Sequence, residues 1–227
     1  MNFHYTNLET CHKAAGLVIV IDVIRAFTNA AFAFGQGAER ILPVSGVDEA
    51  LELKRQLPNA LACGEVGGLP PEGFDFGNSP SQTLTLDLRG RTLVQRTGAG
   101  TQGVTRSIHA EKMLAASFVV ASATVRHVQS LAPETVSFVV TGQFDGRGDE
   151  DLACAEYLEA LLRGATPVVE PYLERVRRSR DAQQHFTPNQ SLFPASDIVH
   201  CTAVDKFTFA MPITQENGRF VMRAIYP

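Results

Sequence analysis

The stretch Leu17-Val18-Ile19-Val20-Ile21-Asp22-Val23-Ile24-Arg25-Ala26 sets five apolar, mostly β-branched residues against an acid and, three positions on, a base. A short β-branched run without polar alternation reads as a strand buried on both faces, as in parallel sheets covered by helices. The end of such a strand is where open α/β sheets place their ligands. Asp22 and Arg25 therefore have two readings at this point: a ligand or metal site, or a structural ion pair with each other. An ionised Asp22 is expensive to desolvate without a cation beside it.

The same pattern recurs outward from this run. Arg40 to Val44, Thr92 to Gln95, Val136 to Val140 and Ile198 to Cys201 are further expected strands. Helical segments separate them. Phe27 to Phe34 is rich in Ala and Phe and stops at Gly35 and Gly37. Val47 to Leu57 carries Ala50, Leu51, Leu53 and Leu57 at helical spacing, with Asp48 and Glu49 at its front. Asp151 to Arg163 repeats Leu152, Ala155, Leu158, Leu161 and Leu162 behind acidic residues. The alternation predicts a three-layer α/β/α sandwich around a largely parallel or mixed central sheet. With 227 residues, one substantial core and one domain spanning 1–227 are expected.

Bulk composition excludes several functions. A net charge of -4 gives no basic surface for nucleic acid. The longest apolar run is interrupted at Asp22, far short of the roughly 20 residues of a membrane helix. The first residues, Met1-Asn2-Phe3-His4-Tyr5, lack the features of a secretory signal, so cytoplasmic residence is the expectation. Cys11, Cys63, Cys154 and Cys201 are scattered, form no CxxC pair, and read as buried free thiols. Homodimerisation rests on base rates alone.

Three further constellations carry chemistry. Gly64-Glu65-Val66-Gly67-Gly68 leads to Gly73-Phe74-Asp75-Phe76-Gly77-Asn78-Ser79-Pro80, a glycine-rich loop in which Glu65 or Asp75 offers a magnesium ligand. Its Asn78 and Ser79 face a phosphate or simply cap a helix beginning at Pro80. Arg96-Thr97-Gly98-Ala99-Gly100-Thr101-Gln102-Gly103 follows a strand as phosphate-cradling turns do, but matches neither a Walker A loop nor a dinucleotide fingerprint. Gly148-Asp149-Glu150-Asp151 is ordinary helix capping or a metal or general-acid group. Tyr172 to Asn189, with Glu174, Arg175, Arg177, Arg178, Arg180 and Asp181, reads as a solvated helix face.

Taken in order, these motifs resemble the 2-phosphosulfolactate phosphatase family over nearly the whole chain. The resemblance rests on Asp22-Val23-Ile24-Arg25-Ala26, Gly64-Glu65 with Gly68, the run Gly73 to Pro80, Gly100-Thr101, Ala116-Ser117-Phe118, Glu150-Asp151 with Cys154-Ala155, and Asp197, Cys201 and Asp205 to Phe207. It implies hydrolysis of a phosphate monoester of a small sulfonated hydroxy acid with Mg2+ as cofactor. On that basis Asp22, Arg25 and Glu65 are the expected catalytic residues, and Asn78, Ser79, Gly100 and Thr101 bind substrate. Asp22, Glu65 and Asp151 are the expected metal ligands. Val66, Phe27, Ala99, Gln102 and Val120 stand where the family carries Arg, Ser or Thr, Asn, Arg and Asn, each removing a donor or a charge. A repurposed small-anion binder on the same fold is the competing reading. Other phosphatase chemistries lack their motifs: Asp22 is not followed by the second Asp of D-x-D-x-T, and no cysteine has Arg six residues on.

Overall fold

The structure, a computed structural model, describes residues 1–142, 148–187 and 192–227. Its strands, among the described residues, are β1 (Asn2–Asn7), β2 (Gly16–Ile21), β3 (Arg40–Val44), β4 (Ala60–Gly64), β5 (Thr92–Arg96), β6 (Ala110–Ala116), β7 (Thr135–Val140), β8 (Met211–Glu216) and β9 (Arg219–Met222). The helices are α1 (Ala26–Gly35), α2 (Val47–Gln56), α3 (Pro80–Thr83), α4 (Gly100–Arg106), α5 (Ala121–Leu131), α6 (Asp149–Leu162), α7 (Glu170–Arg178), α8 (Arg180–Gln183) and α9 (Ala195–Cys201). All the strands join one mixed sheet in the order β1-β7-β2-β6-β8-β9-β3-β5-β4. Helices cover both faces, giving the expected three-layer sandwich.

The β2 run behaves as its composition dictates. Val18 and Val20 pack with α1 and with Val104 of α4. Leu17, Ile19 and Ile21 point to the other face and pack with Ala121 to Val128 of α5 and Ala153 to Leu162 of α6. The period of two thus sends every side chain of the strand into one of two cores. The Phe-rich α1 is wholly interior: Phe27 and Phe32 are essentially inaccessible to solvent. A turn at Gly37, whose φ of +93° disfavours side chains, follows it.

Two parallel blocks build the sheet. One is β1-β7-β2-β6 and the other β3-β5-β4, and the antiparallel hairpin β8-β9 lies between them. Strand β9 meets β3 at a single pair, Ile41 with Met222, so the two blocks are joined there by a short antiparallel contact. Pro43, which lacks an N–H, is tolerated inside β3 because pairing with β9 has already ended there. Both blocks contribute to one core: Val18 and Val20 share it with Ile41, Cys63 and Leu93 around α1. This shared core brings the carboxyl ends of β2, β4, β5 and β7 to one place.

One expected strand is corrected. Ile198 to Cys201 lies in helix α9. Ile198 and Cys201, three apart, are buried, whereas Val199 is 67% exposed, which is helical rather than strand periodicity. Extended Pro194 at the N-cap starts the helix. No helix among the described residues is long and apolar enough to cross a membrane.

Candidate active site

A cleft of about 500 Å³ opens where those strand ends converge. Asp22 and Ile24 reach it from β2, Glu65, Gly67 and Gly68 from β4, Gly98 and Ala99 from β5, and Thr141 and Gly142 from β7. Asn78 and Arg25 also line it, α8 supplies Arg180 and Asp181, and the turn after α8 supplies Gln184 and His185.

Asp22 is the most perturbed group at the cleft. Only 5% exposed, it accepts the Ala26 N–H at 2.9 Å on Oδ1 and so tethers the first turn of α1. Gly100 donates its N–H from α4, and lies so close that a Cβ there would sit 2.8 Å from Asp22 Oδ2. Burial pushes the Asp22 carboxyl up to about 7, against the pull of the Ala26 N–H, and the charges of Glu65 and Asp181 push the same way.

Arg25 does not pair with Asp22, so the ion-pair reading of those two residues is corrected. Its Nη1 meets Asp197 Oδ2 at 2.9 Å and the Leu192 carbonyl at 3.2 Å, its Nη2 meets the Gly68 carbonyl at 3.4 Å, and its guanidinium lies 4.9 Å from the Phe193 ring centre. Arg25 is 5% exposed and Asp197 fully buried. Asp197 Oδ1 also accepts the Ser79 hydroxyl at 2.8 Å and the Ser81 N–H at 3.0 Å. This buried cluster pins α9, the Gly68 loop and α3 around the cleft.

Glu65 is held by backbone. Oε2 accepts the Gly68 N–H at 2.6 Å and Oε1 accepts the Gly98 N–H, coupling the β4 and β5 loops. Asp75, the other carboxylate of that loop, turns away to Lys54 at 2.8 Å and the Ala62 N–H at 2.7 Å. Asn78 is 6% exposed, and its Oδ1 has no hydrogen-bond partner among the described residues.

The remaining expected site residues lie behind the cleft wall. Ser79 accepts the Gln82 N–H and caps α3 while donating to Asp197. Thr101 is buried and exchanges hydrogen bonds with Thr97. Gly100 touches Asp22 but does not line the cleft. Asp151 turns its oxygens to the Val23 N–H at 2.7 Å and the Gly142 N–H at 2.8 Å, tying β2 to β7. Burial holds its carboxyl well above the usual range, reinforced by Glu150 and Asp22.

This ordered set of motifs has known counterparts. The family described as 2-phosphosulpholactate phosphatase matches residues 3–216. A Bacillus subtilis protein named probable 2-phosphosulfolactate phosphatase is 35% identical over 204 residues, 89% of each chain. A Thermotoga maritima protein of the same name is 32% identical over 214 residues, 90% of this chain and 91% of its own. One from Deinococcus radiodurans is 38% identical over 151 residues, 64% of this chain and 62% of its own. The chain belongs to the 2-phosphosulfolactate phosphatase family.

Within this family member, the expected trio of Asp22, Glu65 and Asp151 does not assemble. Among the described residues no three side chains drawn from His, Cys, Asp and Glu gather as a metal-ligating group. Asp151 is committed to backbone on its own side of β2. Asp22, Glu65 and the unpartnered Asn78 Oδ1 nevertheless form an all-oxygen set at one cleft. That chemistry suits a hard cation that keeps much of its water. Burial raises the Asp22 carboxyl, a direction that a bound cation would oppose.

The sequence reading missed half the family member's cleft. Arg180, Asp181 and Gln184 belong to the segment read as solvated, and His185 is fully buried, its Nδ1 3.0 Å from the Pro194 carbonyl oxygen. Burial lowers the His185 imidazole below its ordinary value. The available signal was Ser179: it breaks the helix after Arg178 and caps α8 by accepting the Ala182 N–H at 3.2 Å, which sets Arg180 and Asp181 at the cleft.

Proposed function

We propose that this protein hydrolyses the phosphate monoester of a small, acid-bearing hydroxy compound in the cleft, with magnesium as its cofactor. The observation carrying the reading is Asp22: a carboxyl at the end of a buried strand, raised to about 7, with no basic side chain paired to it among the described residues and with Glu65 and the Asn78 Oδ1 at the same cleft. The names of the relatives support the reaction class.

Asp22, Glu65 and Asn78 would hold the magnesium, which supplies charge to screen the phosphoryl oxygens and polarise the ester. Hydrolysis adds water across the P–O bond, releasing inorganic phosphate and the free hydroxyl of the organic part. The protein's share is positioning. Backbone N–H groups of Gly68 and Gly98 fix Glu65, those of Ala26 and Gly100 fix Asp22, and the Arg25–Asp197 cluster fixes the loops that carry them. The whole of residues 1–227 is read as one catalytic domain acting in the cytoplasm.

The test is phosphate release from a panel including phosphosulfolactate and phospholactate, with and without magnesium, with Asp22→Asn as control. Magnesium-dependent release that disappears in the variant is the expected result. A folded wild-type protein silent across the panel would overturn the proposal.

A further inference from the structure

The cleft holds two arginines in opposite states. Arg25 is buried and ion-paired with Asp197, with two carbonyl oxygens and the Phe193 ring beside it. The family resemblance made it an expected catalytic residue, yet its charge is already paired with Asp197. Arg180 is exposed and lines the same cleft. Its neighbours along the chain are all engaged: Arg175 with Asp149 and Glu156, Arg177 with Glu170, Arg178 with Glu174. Arg180 alone of this group has no carboxylate within 4.0 Å among the described residues, and it alone lines the cleft.

Depth separates the two ends of the cleft. Asp22 and Asn78, on the sheet side, are nearly inaccessible, whereas Arg180 and Gln184 stand exposed on the α7–α8 side. A substrate whose phosphoryl group sits at Asp22 has its organic part in the same cleft that Arg180 lines.

Resting on the phosphatase reading above, we propose that Arg180 is a specificity-determining residue that binds the carboxylate or sulfonate of the substrate's organic part. A planar guanidinium offers paired N–H donors matched to either group. An exposed arginine with no carboxylate paired to it among the described residues meets such a group without first breaking one of their ion pairs. Arg25 is thereby a positioning residue.

The test compares Arg180→Ala, Arg180→Lys and wild type on two monoesters, phospholactate and the uncharged-alcohol ester glycerol phosphate. Loss of a charge-assisted pair is expected to lower kcat/KM on phospholactate by about 10- to 100-fold, with glycerol phosphate changed by less than about threefold. Arg180→Lys is expected to recover part of the loss. An equal loss on both esters, or no loss on either, overturns the assignment. If wild type hydrolyses no ester, the phosphatase reading fails separately, and Arg180 is judged by calorimetry with sulfolactate alone. Weaker binding to Arg180→Ala than to wild type supports the assignment. Equal binding, or none by wild type, overturns it.

Discussion

Raising the pH from 5 to 8 in the presence of a chelator is expected to destabilise the wild-type protein by about 2 to 3 kcal/mol more than Asp22→Asn. Asp22 in the folded protein keeps its proton up to about pH 7, against 3.8 for an unperturbed aspartate. Between those values the native state binds more protons than the unfolded chain, so stability falls as pH rises through the window and levels off above about 7. Each unit of that window is worth about 1.4 kcal/mol, and roughly two of its units lie above pH 5. Asn keeps the side-chain oxygen that accepts the Ala26 N–H. It loses an acceptor for the Gly100 N–H, but that cost does not change with pH. Removing the Asp22 charge also relieves Glu150 and Asp151, flattening the variant's profile further. Urea melts of both proteins at the two pH values give the difference of differences, free of constant offsets. Parallel curves would refute the argument that burial raises the Asp22 carboxyl in the folded protein.

Other consequences are as direct. Gly100→Ala places a Cβ 2.8 Å from both Asp22 Oδ2 and the Ala26 Cβ; a loss of about 1–3 kcal/mol is expected in melts, with phosphate release falling alongside. Arg25→Met leaves Asp197 as a buried charge with only the Ser79 hydroxyl and Ser81 N–H, and is expected to cost about 3–5 kcal/mol, partly restored by adding Asp197→Asn in a double-mutant cycle. A cost below about 1 kcal/mol would show that this pair does not pin the loops. The four cysteines are free and buried, and burial pushes the Cys63, Cys154 and Cys201 thiols up. A thiol reagent is expected to label none in the native protein and all four after unfolding.

The sandwich was legible because buried strands and amphipathic helices write their periodicity into consecutive residues. Leu17 to Ile21 and Asp151 to Arg163 needed no distant information. The sheet order was not legible, since it depends on the β8-β9 hairpin joining two parallel blocks. Its local signal is the pair Asn217-Gly218, both at positive φ. Four of the expected site residues, Asp22, Arg25, Glu65 and Asn78, do line one cleft: the first three follow strand ends, and Asn78 precedes the start of α3. Ser79, Thr101 and Asp151 carry the same residue chemistry but are consumed by backbone and side-chain partners behind it. A polar side chain that caps a turn and one that meets a ligand look alike in sequence. Asp197 had no local signal of its role at all, since its partner Arg25 lies 172 positions away.

Asp22 and Arg25 show most clearly how the fold separates structure from chemistry. They are three residues apart, equally buried, and opposite in charge, and an isolated pair of that kind would neutralise itself. Here each is denied the other. Arg25 receives a carboxylate, carbonyl oxygens and an aromatic face from segments remote in sequence, and its charge is fully compensated. Asp22 receives only N–H donors and the repulsion of Glu65 and Asp181, and its charge is not. A buried charge that is compensated holds a fold together, whereas one left uncompensated at an open cleft creates affinity for whatever cation enters. The asymmetry fits the proposed division of labour, in which Asp22 meets the cation, Arg25 holds the loops and Arg180, in the same cleft, meets the anion.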